Sequence, residues 1–427
     1  MYMGVVVAQT QTQTQTQTQT QTGWEEIKQD ICVAGGGYCS YPYPRHSVPK
    51  LTPAPKGYKP FYISHYGRHG SRWLHAASQY SVPVEQMTKA ERKGCLTPRG
   101  KEVLSQLRQI LAQSQGRIGE LTPVGARQHS EIARRMTRNF PEVFQGDGVI
   151  DCKSSTVMRC ALSMMNEVKE IQAYNPKLQI HADASGADMW YMVYGDQRAA
   201  ELEARANQHE MRDFRLKHTH AEHLLKQLFT DEQFVRDSLD VENFYTTFCN
   251  VAANQQSHDT EVMFWDLFDE QELYDMWLCD NAFWYVVRGA SPISEGHMPH
   301  LAENLLRNVI ESADAFIAKG GNGANLRFGH DSCLMPLAVL MEVGNCGMVV
   351  DDLEQLEPSG WKMHRITPMA GNLQLVFYRN KRQPEDILVK ALLCEEEVSL
   401  PVHTDTYPYY KWSDVRAYYL NNAFTGK

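Results

Sequence analysis

A stretch of 93 residues, from 196 to 288, contains neither glycine nor proline, and no other property limits the possible folds of the chain as much. Glycine and proline mark turns and interrupt helices, so their absence over this length is typical of consecutive helices. Helix-favouring alanine, glutamate, leucine, arginine and glutamine recur throughout it. The sequence therefore predicts a cluster of helices here, and we expect the aromatic residues between Phe264 and Tyr285 to form a helical core.

Short strand and helix patterns alternate on both sides of this stretch. Strands are predicted at residues 61–64, 148–152, 178–181, 326–329, 373–378 and 387–393. Helices are predicted at residues 157–173, 301–317 and 332–341, with a closing helix after Ser413-Asp414. This alternation indicates the α/β class, with a mostly parallel central sheet flanked by helices.

Two further helices are predicted to begin at Pro98 and Pro123, in the similar sequences Leu-Thr-Pro-Arg-Gly and Leu-Thr-Pro-Val-Gly. In each, the threonine can cap free backbone N–H groups, and the proline suits the first helical position. The predicted organisation is an α/β core of residues 24–190 and 290–427, interrupted by a helical insert at 191–289.

The amino terminus has a different character, because glutamine and threonine alternate without interruption from Gln9 to Thr22. Such a tract has no apolar side chains to pack, so residues 1–23 are predicted to be a disordered leader. Residues 3–8 are too few for a convincing secretion signal. No run of residues approaches the roughly 20 apolar positions that a membrane-spanning helix needs.

The composition of the chain supports some classes of protein and argues against others. With 427 residues and 43% hydrophobic content, the chain can bury a substantial core. Its formal net charge of -9 argues against a nucleic-acid partner, since such proteins usually carry a basic excess. The ten cysteines include no Cys-x-x-Cys pair of the kind that suggests zinc, and both oxidising and reducing compartments are compatible with them. Cys32/Cys39 and Cys152/Cys160 are the closest pairs in sequence.

The motif with the clearest chemical meaning is Arg68-His69-Gly70-Ser71-Arg72, which directly follows a predicted strand. Two guanidinium groups beside one imidazole suit a phosphate group with a nucleophile next to it, because arginine binds two phosphate oxygens at once. A second pair, His330-Asp331, also lies between a strand and a helix. The first turn of a helix favours anions, so both motifs occupy positions suited to phosphate.

Together these motifs resemble those of the histidine phosphatases, in the branch of acid phosphatases and phytases, from about Tyr58 to the carboxyl-terminal region. Residues 121–125 resemble the helix start that follows the first strand in that family, and residues 154–159 resemble the segment with its third phosphate-binding arginine. The surroundings of His330 are most similar to those of multiple inositol polyphosphate phosphatases. That group often has His-Ala-Glu where this chain has His330-Asp331-Ser332. Acid phosphatases usually have a proline two residues after the second arginine, where this chain has Leu74.

The resemblance implies roles for particular residues. His69 would become phosphorylated and Asp331 would donate a proton to the leaving group. Phosphate would be bound by Arg68, Arg72, Arg159 and His330. The reaction would be the hydrolysis of phosphate monoesters without a metal or other cofactor, and the insert would form a substrate-specificity cap.

The resemblance favours an inositol polyphosphate substrate, as in a phytase, and a periplasmic or secreted location. A broad-specificity or sugar-phosphate acid phosphatase is the alternative. A phosphate-binding sensor without activity is a third hypothesis, although the presence of both His69 and Asp331 argues against it.

Other polar residues have simpler interpretations. His65, His69 and His75 could suggest a metal site, but Gly67 and Gly70 argue against a shared helical face there. We expect His297, His300 and Glu303 to serve in capping or packing. Residues 35–37, three consecutive glycines, lack the lysine and hydroxyl of a nucleotide-binding loop and are predicted to form a flexible turn.

Overall fold

The computed structural model of the protein describes residues 21–42, 50–193 and 195–424. Most of the predicted disordered leader lies outside these residues. Its last two positions do not fit that prediction, because Thr22 caps a helix that begins at Gly23. The Thr22 side chain accepts a hydrogen bond from the Glu25 N–H, and the Glu25 carboxylate accepts one from the Thr22 N–H. This reciprocal cap explains why the helix begins there.

Within the described ranges, eight strands form one sheet. They are β1 (Tyr58–Arg68), β2 (Val149–Ser154), β3 (Gln179–Asp183), β4 (Gly323–Gly329), β5 (Asn372–Asn380), β6 (Ile387–Leu393), β7 (Glu396–Val398) and β8 (Tyr410–Lys411). The strand order is β3-β2-β4-β1-β5-β6-β7, with β8 also paired to β6. β3, β2, β4 and β1 run parallel to one another, while β5 to β8 extend the sheet in antiparallel pairs.

Sixteen α-helices are found in the described part of the chain. They are α1 (Gly23–Gln29), α2 (Ser78–Lys93), α3 (Pro98–Ser114), α4 (Pro123–Asn139), α5 (Met158–Tyr174), α6 (Met189–Met192), α7 (Gln197–Gln208), α8 (Glu210–His218), α9 (Glu222–Leu228), α10 (Glu232–Ser238), α11 (Val241–Asn254), α12 (Glu270–Arg288), α13 (Glu303–Lys319), α14 (Asp331–Leu340), α15 (Met363–Ile366) and α16 (Trp412–Asn422). Short 3₁₀ helices lie at Ile31–Tyr38, Pro141–Phe144, Gly186–Asp188, Gln255–Ser257, Trp265–Leu267, Pro292–Ser294, Met298–Ala302 and Leu353–Gln355.

The central strands β1, β4, β5 and β6 are buried on both faces of the sheet. Alternate residues of β1 point to opposite sides, so Tyr62 and Tyr66 join one hydrophobic cluster and Ile63 joins another. The first cluster includes side chains from α13, α14 and α16, and the second includes side chains from α4 and α5. The α/β prediction is therefore confirmed, with helices covering both faces of the sheet.

The stretch without glycine or proline is mostly helical, as predicted, and contains α7 to α12. Aspartates cap several of these helices through hydrogen bonds to free N–H groups, at Asp196, Asp231, Asp240 and Asp269. The buried faces of these helices share a hydrophobic cluster with α14, so the helical segment and the α/β core pack together. Its role as a substrate-specificity cap stays a prediction.

The predicted caps of α3 and α4 are confirmed. The Thr97 hydroxyl accepts a hydrogen bond from the Gly100 N–H at 2.8 Å, and the Thr122 hydroxyl accepts one from the Gly125 N–H at 3.2 Å. Cys152 and Cys160, one of the two cysteine pairs closest in sequence, are both buried free thiols. None of the helices in the described ranges combines the length and apolar character needed to cross a membrane.

Candidate active site

The sequence motifs meet at the carboxyl ends of three neighbouring parallel strands. Arg68, the last residue of β1, lies opposite Gly329, the last residue of β4, and the His69 N–H donates to the Gly329 carbonyl at 2.9 Å. On the other side of β4, the Ser155 N–H donates to the Phe328 carbonyl at 2.9 Å. Because parallel strands end at the same edge of the sheet, segments that are distant in the chain converge there.

His69 is a buried, neutral imidazole. Its Nδ1 lies 2.9 Å from the Gly70 carbonyl oxygen. A carbonyl can only accept a hydrogen bond, so Nδ1 carries the proton and Nε2 keeps the lone pair. Burial lowers the pKa of His69 well below its usual range, and the nearby charges of Arg68, Arg72 and Arg159 lower it further. The ring can therefore act as a nucleophile even in acid.

Arg68 is held from several directions. Its side chain is only 2% exposed, and its Nη2 lies 2.7 Å from the Asp331 Oδ2. Its Nη1 donates to the Gly37 carbonyl at 2.8 Å and to the Thr367 carbonyl at 2.5 Å. These contacts fix the plane of the guanidinium group before any ligand binds.

Arg72 and Arg159 add two more cationic groups. The Arg72 Nη1 donates to the Trp73 carbonyl at 3.0 Å, and the guanidinium carbon lies 5.7 Å from the centre of the Tyr38 ring. Arg159, in the first turn of α5, donates from Nη1 to the Gly119 carbonyl at 3.3 Å. Among the described residues, none accepts a hydrogen bond from the buried Nε of Arg68, Arg72 or Arg159. Three partly unsatisfied guanidinium groups around one imidazole form an environment suited to an anion.

His330 lies directly beside His69, with ring centres 5.6 Å apart and the planes nearly perpendicular. It occupies the position before α14, where its N–H donates to the Tyr66 hydroxyl at 3.2 Å. Its Nε2 lies 3.3 Å from the Ser155 hydroxyl. Burial, followed by the charge of Arg159, lowers the pKa of His330 to about 4.

Asp331 opens α14 and faces Arg68. Its Oδ1 accepts a hydrogen bond from the Ser332 N–H at 2.7 Å, and its Oδ2 pairs with Arg68. Burial alone would raise the pKa of Asp331, but the charges of Arg68, Arg72 and His330 outweigh it and lower the pKa. The carboxyl group is therefore ionised at neutral pH when no substrate is bound. The structure thus brings together all six residues that the sequence singles out.

The loop that carries His69 packs closely against the backbone at the start of α4. A Cβ atom on Gly70 would lie 2.5 Å from the Gly125 carbonyl oxygen and 2.6 Å from the Gly125 Cα. The Gly70 N–H also donates to the Ser163 hydroxyl of α5 at 3.1 Å. The glycine of the 121–125 motif therefore allows the start of α4 to pack directly against the loop that carries His69.

The prediction of a flexible turn at residues 35–37 is wrong. These glycines are buried in the 3₁₀ segment Ile31–Tyr38. The carbonyl of Gly37 contacts Arg68, and the ring of Tyr38 faces Arg72. Sequence reasoning missed this contribution because a glycine run has no side chain to suggest a role. The only sequence signal for such a role is the glycine run itself, because glycine lets another group pack closely against the backbone.

The other histidines have ordinary partners or positions. His65 lies inside β1, where its ring packs 5.4 Å from that of Phe328. His297 contacts Asp196 at 2.9 Å, and the His300 Nδ1 contacts Glu303 at 2.8 Å. In the described ranges, no three His, Cys, Asp or Glu side chains are grouped to hold a metal ion.

A model of the histidine phosphatase superfamily (branch 2) matches residues 67–393, which is more than half of the chain. The chain belongs to the histidine phosphatase superfamily, branch 2. The family predicted from the two motifs is therefore confirmed. This membership identifies the protein as a histidine acid phosphatase. No curated protein sequence matches the chain.

Solved structures show the same fold. The multiple inositol polyphosphate phosphatase of Bifidobacterium longum, in complex with inositol hexasulfate, is 18% identical to this histidine phosphatase, with a TM-score of 0.71. The alignment covers 92% of this chain and 99% of that one. The phytase from D. castellii is 14% identical, with a TM-score of 0.69 and coverage of 97% and 90%. Hafnia alvei phytase in complex with myo-inositol hexakis sulphate is 12% identical, with a TM-score of 0.54 and coverage of 87% and 99%.

Proposed function

We propose that this histidine phosphatase hydrolyses phosphate monoesters through a phosphohistidine at His69, and that inositol polyphosphates of the phytate type are its main substrates. The observation that carries the proposal is the convergence of one neutral, buried imidazole with three arginines whose Nε atoms are buried without an acceptor in the described residues. This arrangement suits a dianionic phosphoryl group next to a nucleophile.

In the first step, the His69 Nε2 lone pair would form a bond to phosphorus while the bond from phosphorus to the ester oxygen breaks. Arg68, Arg72, Arg159 and His330 would hold the three remaining phosphoryl oxygens. Asp331 would transfer its proton to the departing alkoxide, which needs one because an alkoxide is a strong base.

In the second step, water would attack the phosphohistidine, and Asp331 would accept a proton from that water. The bond between phosphorus and His69 would break, inorganic phosphate would leave, and the imidazole would regain its lone pair. Every atom and proton is accounted for by the ester, one water molecule and these side chains, so we expect the reaction to need no metal ion.

The substrate is inferred from the fold and from similar proteins. The structures of the Bifidobacterium longum and Hafnia alvei enzymes hold sulphate analogues of inositol hexakisphosphate. A pocket with several arginines also matches the high charge of such ligands. The resemblance supports a periplasmic or secreted location as well, which cell fractionation of the native host would test.

Phosphate release from inositol hexakisphosphate, glycerol phosphate, a sugar phosphate and p-nitrophenyl phosphate tests the function directly. We expect the highest kcat/KM with inositol hexakisphosphate. Rapid quenching with a ³²P-labelled ester should label the wild-type protein with an acid-labile, alkali-stable phosphate, and His69→Ala should abolish both label and turnover. A higher kcat/KM for the simple esters would instead favour a broad-specificity acid phosphatase. Phosphate binding without turnover of any ester would indicate a sensor.

A further inference from the structure

Asp280, on α12 of the helical segment, is placed against the buried glycine run near the amino terminus. Its Oδ2 accepts a hydrogen bond from the Gly37 N–H at 2.7 Å. A Cβ atom on Gly36 would collide with this carboxylate, and Gly36 has a φ of 50°, in the region that favours glycine. The glycine run therefore gives the carboxylate direct access to the backbone.

The same residue, Gly37, contacts the phosphate site through its other polar group. Its carbonyl accepts a hydrogen bond from the Arg68 Nη1 at 2.8 Å. A continuous series of hydrogen bonds thus runs from Asp280 through Gly37 to Arg68 and on to Asp331. The glycine run precedes the region that the family model matches, which begins at residue 67.

The charges around Asp280 come from three other elements. Burial raises the pKa of Asp280 to about 6, and the charge of Asp331 on α14 adds to this effect. The hydrogen bond from Gly37 lowers the pKa, as do the charges of Arg68 on β1 and Arg215 on α8. The charge of Asp331 therefore acts on Asp280 across Arg68, and because an electrostatic interaction is mutual, an ionised Asp280 should act on Asp331 as well.

We propose that Asp280 is a positioning residue for phosphoryl transfer: it anchors Gly37, whose carbonyl in turn fixes the Arg68 guanidinium for the phosphoryl oxygens. The inference rests on the proposed function. It gives the helical segment a part in forming the phosphate site, in addition to its packing against the core.

The first test compares Asp280→Ala with Asp275→Ala. Asp275 is a matched control because it lies on the same helix, is buried, and pairs instead with His220 at 2.6 Å and Gln271 at 2.8 Å. A displacement of about 1 Å in a positioning group can cost roughly 100-fold in rate, so Asp280→Ala should lower kcat/KM for p-nitrophenyl phosphate by at least about 10-fold. It should also raise the inhibition constant of inorganic phosphate. Asp275→Ala should change neither value by more than about twofold.

The second test uses Asp280→Asn, which keeps an oxygen that can accept from Gly37 and removes the charge. This variant should retain most of the activity, within about threefold of wild type. Asp280 is ionised only above about pH 6, so in that range the loss of its charge should lower the pKa of Asp331 by on the order of 0.5 unit and lower kcat/KM for glycerol phosphate about threefold, while at lower pH the two profiles should coincide. A residue that only packs α12 would not produce this shift.

Asp280→Ala with activity within twofold of wild type would overturn the inference, as would equal losses in Asp280→Ala and Asp275→Ala. If Asp280→Ala does not fold, the pH profile of Asp280→Asn decides, and a profile that coincides with that of wild type above about pH 6 as well overturns the inference. Failure of the proposed function has a different signature, because wild-type protein would then release no phosphate from any ester.

Discussion

Replacement of Asp331 by asparagine should separate the binding of phosphate from its transfer. The Asp331 Oδ2 lies 2.7 Å from the Arg68 Nη2, so this carboxylate would compete with a phosphoryl oxygen for the same guanidinium. Asparagine keeps the size of the side chain and removes both the charge and the proton that it could donate. Phosphate should therefore bind more tightly to the variant while hydrolysis of most esters becomes slower.

The size of each effect follows from the geometry. A carboxylate and a phosphoryl oxygen that flank one guanidinium group at about 5 to 6 Å repel each other by about 3 kcal/mol at an effective dielectric constant of about 20. Reorganisation of Arg68 will recover part of this energy, so we expect a net gain of about 1 kcal/mol, or roughly fivefold tighter binding of inorganic phosphate. General acid catalysis typically contributes about 10²- to 10⁴-fold, and this factor should be lost for esters with alkoxide leaving groups.

The assay compares kcat/KM for glycerol phosphate with kcat/KM for p-nitrophenyl phosphate, whose leaving group scarcely needs a proton. Because kcat/KM reports only steps up to the first phosphoryl transfer, a slow second step in the variant does not disturb the comparison. Asp314→Asn is the control, since it alters a carboxylate that pairs with Arg416 at 2.6 Å. Equal losses on both esters would refute the assignment of Asp331 as proton donor, and weaker binding of phosphate would refute its competition with phosphate for Arg68.

Three further predictions concern the loop, the response to acid and the absence of a cofactor. Gly70→Ala should lower kcat/KM by about 100-fold, because the added Cβ would collide with Gly125 and displace His69. Gly186→Ala is the control, since its Cβ would meet open space and should leave kcat/KM unchanged. Equal kcat/KM values in the two variants would contradict this prediction. Burial lowers the pKa of His65 to about 3, below the ordinary value in the unfolded chain, so its contribution to stability is complete above about pH 6.5 and is lost as the pH falls toward 3. Urea unfolding should give a lower free energy of unfolding at about pH 4.5 than at about pH 7, with about 2.5 kcal/mol of the difference due to His65. His65→Leu should reduce this difference in free energy between the two pH values. An unchanged difference would show that His65 does not contribute to it. Dialysis against a chelator should leave phosphate release intact, and recovery of lost activity by an added divalent metal would show that the mechanism is incomplete.

The acidity of Asp331 also bears on the pH dependence of catalysis. Its lowered pKa means that the protonated form, which the proposed first step requires, becomes abundant only in acid. His69 remains neutral there because its own pKa is well below the usual range. We therefore expect kcat/KM for glycerol phosphate to rise as the pH falls from about 7 toward about 4.5, and a profile that rises toward alkaline pH would contradict this reasoning.

Much of the secondary structure follows from local physical chemistry, and so does its prediction. Thr97 and Thr122 act as caps because a threonine before a proline meets the needs of a helix start without help from the rest of the chain. The strand predicted at residues 61–64 lies within β1, and the helix predicted at 332–341 corresponds to α14, which begins one residue earlier at Asp331. These features depend on neighbours within a few residues, so the sequence alone determined them.

The order of the strands and the contacts of the site depend on the whole fold. Only the tertiary structure places Gly329 opposite Arg68, across more than 250 intervening residues, and thereby brings His330 beside His69. The contact of Gly37 with Arg68 and the position of Asp280 were not predictable, because a backbone carbonyl leaves no pattern in the sequence and an aspartate on a helix usually faces water. The sequence therefore determined which groups are available for the proposed chemistry. Long-range packing decided their distances, their burial and hence their pKa values, since desolvation and nearby charge arise only when distant segments meet.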